Sequence, residues 1–258
     1  MSVTSRRHGA LLEIALNRPD KHNALSNALA RELCAAFESA RTDDSVSAVL
    51  LRGEGRSFCS GGDIEQFAQM DELGLPELHA EGRASVELFS WGRRLGKPLI
   101  AAVHGACMGG GLGLAAMSDI VIASSNAKFA ASEIRIGLFP FVIVPALIDA
   151  LGYRRALELS LSGRSFGAEE ARALGLAQHV VEEAEFAERA LGIAAEIAAK
   201  SPVALRLGLE AFRAARTMAG PEAFEAMNAY RNVVLKSADL KEGALAFFEK
   251  RSPVWSGR

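Results

Sequence analysis

The sequence predicts an α/β fold followed by a helical extension. Short β-type runs alternate with helical segments from Leu11 to about Ala130, whereas beyond Val144 only helical segments follow one another. Half of the 258 residues are hydrophobic and 23% are charged, so the chain has material for a large core and no disorder signature.

The elements follow in order. Leu11 to Leu16 reads as the first strand, and Val46 to Leu51, Pro98 to Val103 and Asp119 to Ala123 read as later ones. Between the first two, Ser26 to Ala40 repeats Leu29, Leu33, Ala36 and Phe37 at helical spacing, and Ser26 can accept a hydrogen bond from the open first turn. The late helices are expected at 146–151, 154–161, 168–174, 185–199, 203–218, 221–235 and 240–250. Several carry apolar residues on more than one face, as 190–199 does, and so need covering on several sides. A homo-oligomer follows as the expectation, with Glu242 to Arg258 as a candidate contact. No fixed-period repeat or low-complexity segment interrupts this order.

Charge and cysteine usage exclude several functions. With 29 Lys and Arg against 31 Asp and Glu, the net charge of -2 leaves no basic excess for a phosphate backbone, so nucleic acid is not an expected partner. Cys34, Cys59 and Cys107 form neither a disulfide framework nor a zinc motif, which suits a reducing compartment. The polar stretch Met1 to His8 lacks the apolar run of a signal segment, and no apolar run approaches the ~20 residues that cross a bilayer. The expectation is a cytoplasmic protein without a membrane partner. The five histidines lack ligand spacing, so no metal is expected.

Two common motifs lose on context. Gly111 to Ala116 fits GxGxxA, but Glu133 lies well past the strand end where a dinucleotide fold keeps its acidic residue, so a nicotinamide oxidoreductase is disfavoured. Gly163 to Gly167 fits GxSxG, yet a helix rather than a strand leads into it, and the glycines suit a helix end and the next helix start.

More informative are two glycine-rich turns, Ser60-Gly61-Gly62-Asp63 and Gly109-Gly110-Gly111. Each follows a β-like run and precedes a segment able to start a helix. Such a turn exposes backbone N–H groups at the positive end of a helix, and without a Cβ a ligand oxygen can reach them. Two donors converging on one oxygen make an oxyanion hole.

In order and spacing, Asn17-Arg18-Pro19-Asp20-Lys21-His22-Asn23-Ala24-Leu25, Phe58 to Ile64, Val103 to Gly111, Ser118-Asp119-Ile120 and Phe129 to Gly137 resemble the crotonase (enoyl-CoA hydratase/isomerase) superfamily. The resemblance spans nearly the whole chain, and Gly163-Arg164 to Gly175-Leu176 continues it. It implies a spiral of ββα units over 1–195 that carries an acyl-CoA site, and a helical oligomerisation region over 196–258 that builds a trimer or hexamer. It implies that the backbone amides of Gly62 and Gly110 hold the thioester oxygen as it becomes an enolate. Ala24 and Ser60, Gly61, Gly62, Asp63 and Ile64 match the groove for CoA, and Phe247 and Lys250 match residues that reach CoA, often from a neighbouring subunit. Coenzyme A is then part of the substrate, and no separate cofactor is expected.

The chain departs from the family at one important position. Hydratases of this type use two glutamates; Glu133 matches the one that moves a proton at the α-carbon, while the other position holds Gly113. A glycine neither accepts a proton nor orients water. The favoured expectation is hydration of a 2-enoyl-CoA to a 3-hydroxyacyl-CoA with Glu133 as acid and base, assisted by whatever carbonyl or water occupies the gap at Gly113. Alternatives are an enoyl-CoA isomerase, a decarboxylase or hydrolase on the same scaffold, and a catalytically weak acyl-CoA-binding protein. Cys59 and Cys107 adjoin the turns, but neither has a histidine base fixed beside it.

Overall fold

A computed structural model describes residues 1–258 apart from the side chain of Asp71. In chain order the strands are β1 (Val3–His8), β2 (Leu11–Leu16), β3 (Ala48–Gly53), β4 (Leu99–Val103), β5 (Ala106–Met108), β6 (Ile120–Ser124), β7 (Lys128–Ala130), β8 (Phe166–Gly167) and β9 (His179–Val181). The helices of the first half are α1 (Asn27–Thr42), α2 (Ile64–Gln69), α3 (Leu75–Arg94) and α4 (Gly110–Met117). Those of the second half are α5 (Val144–Leu151), α6 (Tyr153–Ser162), α7 (Ala168–Leu174), α8 (Phe186–Ala198), α9 (Pro202–Ala215), α10 (Pro221–Leu235) and α11 (Ala238–Glu249).

A six-stranded sheet runs β1-β2-β3-β4-β6-β9, parallel except for the β1–β2 hairpin, and a small second sheet runs β5-β7-β8. Side-chain alternation divides the core in two. Val49, Leu51, Leu99, Ala101 and Val121 face the layer that includes Leu33 and Phe37 of α1, Trp91 of α3 and Leu114 of α4. On the opposite face, Ala48, Leu50, Ile100, Ala102 and Ile122 meet Phe186, Ala190, Ala194 and Ala198 of α8. With both faces covered, the central strands read as nearly continuous apolar runs.

Helix α1 begins where its cap residue predicts: Ser26 Oγ accepts from the N–H of Leu29 at 3.2 Å. Ser26→Ala removes that acceptor, and a loss of about 1 kcal/mol in denaturant unfolding is expected. Two expectations need correction. The polar segment before Leu11 is a strand, an edge hairpin partner whose residues Thr4 to Arg7 are exposed, so it carries little apolar signal. Strands also continue beyond Val144. Phe166–Gly167 pairs with β7, and His179–Val181 closes the main sheet against β6. Two or three residues held by neighbours are too few to show a period.

The division expected between 195 and 196 falls inside α8, whose buried stripe continues to Ala198. Beyond it, α9 buries only Val203 and α10 buries no residue. The chain end is clipped back: Trp255 Nε1 donates to Ala199 O at 2.7 Å, and Asp239 Oδ1 accepts from the N–H groups of Ser256 and Gly257. Phe212, Phe224, Phe247 and Phe248 remain largely exposed. No helix among the described residues is long and apolar enough to cross a membrane.

Candidate active site

The two glycine turns lie side by side. Cys59, just before the first, bridges in parallel to Cys107, just before the second; Cys59 N–H donates to Ala106 O at 3.0 Å and Met108 N–H donates to Cys59 O at 2.9 Å. Gly61 and Gly111 make this approach feasible. A Cβ at Gly61, whose φ is +101°, would lie 3.0 Å from Met108 O, and one at Gly111 would collide with Cys59 O. Helix α2 starts after the first turn, and the second turn opens directly into α4.

Segment 18–25 braces both turns. Leu25 N–H donates to Gly61 O at 2.7 Å, and Leu25 O accepts from Asp63 N–H at 3.0 Å. These bonds hold the peptides on either side of Gly62. The Leu25 side chain also packs against Gly110, where an added Cβ would come within 2.7 Å of its Cδ1. Among the described residues, neither Gly62 N–H nor Gly110 N–H donates a hydrogen bond within the chain. Gly110 is the first residue of α4 and has no acceptor one turn earlier in its own helix.

Glu133 reaches the second turn from β7. Gly109 N–H donates to Ala130 O at 2.8 Å, and three residues later Glu133 begins to fold back in the 3-10 turn Ser132–Ile136. Its carboxylate lies over Gly109, where a Cβ would stand 2.9 Å from Glu133 Oε1. Gly109 has φ +49°, a conformation that a larger side chain would adopt at a cost. Oε2 of Glu133 is buried and has no hydrogen-bond partner among the described residues. Burial raises the pKa of this carboxyl, partly offset by a hydrogen bond from its own backbone N–H. An unpartnered, half-buried carboxylate over Gly109, next to the free Gly110 N–H, is chemically costly unless a ligand uses it.

The sequence profile of the family described as enoyl-CoA hydratase/isomerase matches residues 6–258. The chain belongs to that family. Among its relatives, the enoyl-CoA hydratase EchA19 of Mycobacterium tuberculosis is 34% identical over 253 residues, 98% of this chain and 95% of that one. The 2,3-dehydroadipyl-CoA hydratase of Escherichia coli is 34% identical over 258 residues, 99% of this chain and 98% of that one. The solved structure of an enoyl-CoA hydratase from Mycobacterium smegmatis superposes with a TM-score of 0.91 at 30% identity, covering 99% of both chains. This family member is therefore an enzyme of the hydratase/isomerase type with the crotonase fold, as the motifs predict.

The remaining residues singled out in the family pattern are distributed unevenly. Ala24 is half-buried, and its carbonyl accepts from Arg18 Nη1 at 2.7 Å. Asp63 is 9% exposed and pairs with Arg18 Nη2 at 3.0 Å, while Ser60 N–H donates to His22 O and Ile64 is exposed. Phe247 is exposed near the end of α11, and Lys250 caps that helix in a left-handed conformation. Among the described residues, no hydrogen bond or ring contact joins either to the glycine turns.

Around Gly113 the gap is closed. A Cβ there would collide with Ile143 Cγ2 and come within 2.8 Å of Phe89 Cε1, so apolar side chains occupy the space rather than a carbonyl or a roomy water site. Phe89 is marked by no motif, and only the packing of α3 and of residues 141–143 against α4 brings Phe89 and Ile143 here. Phe67, whose ring lies against Gly62, is a third neighbour that the sequence does not reveal. Arg18 and Leu25 stand inside the motif segment Asn17 to Leu25, but their bracing role is visible only in the hydrogen bonds. A cavity of about 740 Å³ shares Phe89 as a wall but is not lined by Gly62, Gly110 or Glu133.

Burial disfavours Cys59 and Cys107 as nucleophiles. Cys59 and Cys107 are fully buried, and desolvation pushes the Cys59 thiol up to about 12 and the Cys107 thiol well above its ordinary value. Among the described residues no cluster of three or more His, Cys, Asp or Glu suits a metal ion.

Proposed function

We propose that this enzyme adds water to a 2-enoyl-CoA, giving a 3-hydroxyacyl-CoA through an enolate held by the N–H groups of Gly62 and Gly110. The unpartnered carboxylate of Glu133 over Gly109, in the turn that carries the unused Gly110 N–H, carries the reading. Glu133 accepts a proton from water as the water oxygen bonds to the β-carbon, and the C=C electron pair moves onto the thioester oxygen. The enolate then collapses, the α-carbon takes the proton back from Glu133, and one water has been added overall. Because one carboxylate serves both half-steps, hydroxyl and proton arrive on the same face of the double bond.

The apolar closure at Gly113 favours a second reading. With Ile143 and Phe89 where a water-positioning group would stand, Glu133 could move a proton between the α- and γ-carbons, as an enoyl-CoA isomerase does. The two are separated by product analysis with crotonyl-CoA and a 3-enoyl-CoA. Loss of the conjugated thioester absorbance with formation of the 3-hydroxyacyl thioester is expected; conversion of the 3-enoyl substrate without hydration would replace hydratase by isomerase. Binding of CoA thioesters with neither reaction would reduce the protein to a binding module.

The raised pKa of Glu133 gives this chemistry a pH signature. The base must be ionised, so kcat/KM rises with pH through a midpoint above the ~4.3 of an ordinary glutamate. A pH–rate profile without that limb would remove Glu133 as the base. The exposed Phe212, Phe224 and Phe247 support assembly of copies into a trimer or hexamer, in which Phe247 and Lys250 contribute to a neighbour's CoA groove. Light scattering tests the assembly.

A further inference from the structure

We propose that Arg18 is a positioning residue for the thioester oxygen site, acting through Ala24 and Asp63 to fix the direction of the Gly62 N–H. The inference rests on the reading of Gly62 and Gly110 as the donors to that oxygen. Gly62 has no side chain to anchor it, so its orientation depends on its flanking peptides. Both are bonded to Leu25, through Gly61 O and Asp63 N–H. Leu25 in turn belongs to a turn that is unfavourable by itself, since His22 and Asn23 have φ of 49° and 57°. Non-glycine residues in that region persist where surrounding contacts over-determine them.

Those contacts converge on Arg18 and Asn23. The Asn23 side chain is fully buried; its Oδ1 accepts from Arg18 N–H at 2.8 Å, and its Nδ2 donates to Glu54 O and Ser57 O at 2.9 and 2.8 Å. The Arg18 guanidinium then spans two segments, donating through Nη1 to Ala24 O and through Nη2 to Asp63 Oδ2. Ala24 precedes Leu25, and Asp63 follows Gly62. The planar fork therefore closes the ring of peptides that encloses the donor. Arg18 and Asp63 side chains are only 22% and 12% exposed, which limits solvent screening of the pair. A lysine supplies charge to one partner but not the two-armed geometry.

The test uses the full-length protein and the variants Arg18→Lys, Arg18→Met and Asp63→Asn. Loss of one oxyanion donor costs about 10²–10³-fold in kcat. Arg18→Met is expected to lower kcat by about 10²-fold with little change in KM, and Arg18→Lys to fall between it and the parent. Infrared spectroscopy of bound butyryl-CoA carrying a ¹³C=O thioester, a saturated analogue, reads the site directly. The carbonyl stretch is displaced to lower frequency in the parent protein, and that displacement shrinks in the variants in the order of their kcat values.

A displacement in Arg18→Met equal to the parent's would overturn the role assigned to Arg18 and leave the oxygen site standing. Weakened CoA affinity with an undiminished displacement would make Arg18 a CoA ligand and also overturn it. No displacement in the parent would sink the oxygen-site reading itself. Should Arg18→Met fail to fold, the Arg18→Lys and Asp63→Asn spectra decide the question by the same criterion.

Discussion

Glu133→Gln lowers kcat by about two to four orders of magnitude while leaving the fold intact. That range is the contribution of a positioned general acid–base, and in the proposed mechanism a single residue serves both half-steps. Among the described residues no second carboxylate is placed beside it, and Gly113 faces Ile143 and Phe89. Gln keeps the size of the side chain and its place over Gly109. Stability moves the other way from activity. The folded-state pKa of Glu133 is raised above its unfolded value, so its favourable contribution is present at low pH and is lost as pH rises through the folded pKa. At neutral pH the parent protein bears that penalty and the Gln variant does not. Steady-state kinetics beside thermal unfolding checks both halves, and turnover equal to the parent's would remove Glu133 from the mechanism.

Restoring the missing carboxylate fails in the single variant. Gly113→Glu drives a side chain into Ile143 and Phe89, in a helix turn whose Gly111, Leu112, Gly113 and Leu114 are all buried. Overpacking of this kind costs about 1–3 kcal/mol, before the cost of placing an unpartnered charge in an apolar wall. The expected fall in Tm is roughly 2–4 °C for each kcal/mol in a chain of this size. Ile143→Ala alone opens a cavity at a residue only 2% exposed and costs about 2–5 kcal/mol. In the double variant the new glutamate occupies that cavity, so the total loss is smaller than the sum of the single losses by at least ~0.5 kcal/mol. A double-mutant cycle in denaturant measures this coupling. Additive losses would mean that Ile143 is not the obstacle at position 113.

Much of the site is legible before folding because its signals are local. A glycine that must lie against another backbone has few replacements, so Gly61 and Gly111 mark the turns, and Ser26 marks the start of α1. The order of those turns with Phe129 to Glu133 carries the family. The misses have the opposite character. Strand β1 is an edge strand with Thr4 to Arg7 exposed, so its composition is polar, while β8 and β9 are two or three residues long and are held by β7 and β6 far earlier in the chain, so no period announces them. The braced geometry of Arg18, Ala24, Leu25 and Asp63 depends on bonds spanning up to 45 residues.

By itself the sequence determined the alternation of strands and helices, the two glycine turns, the place of Glu133 after the Phe129 to Ser132 segment, and the lack of a carboxylate at position 113. These are matters of residue type and short-range spacing. Only the tertiary structure decided what surrounds them: that Glu133 lies over Gly109 with an oxygen left unpartnered, that Leu25 ties both turns together, and that Ile143 and Phe89 close the space beside Gly113. The physical reason is that desolvation and close packing depend on which distant segments the sheet brings into contact, and no local pattern encodes that neighbour list.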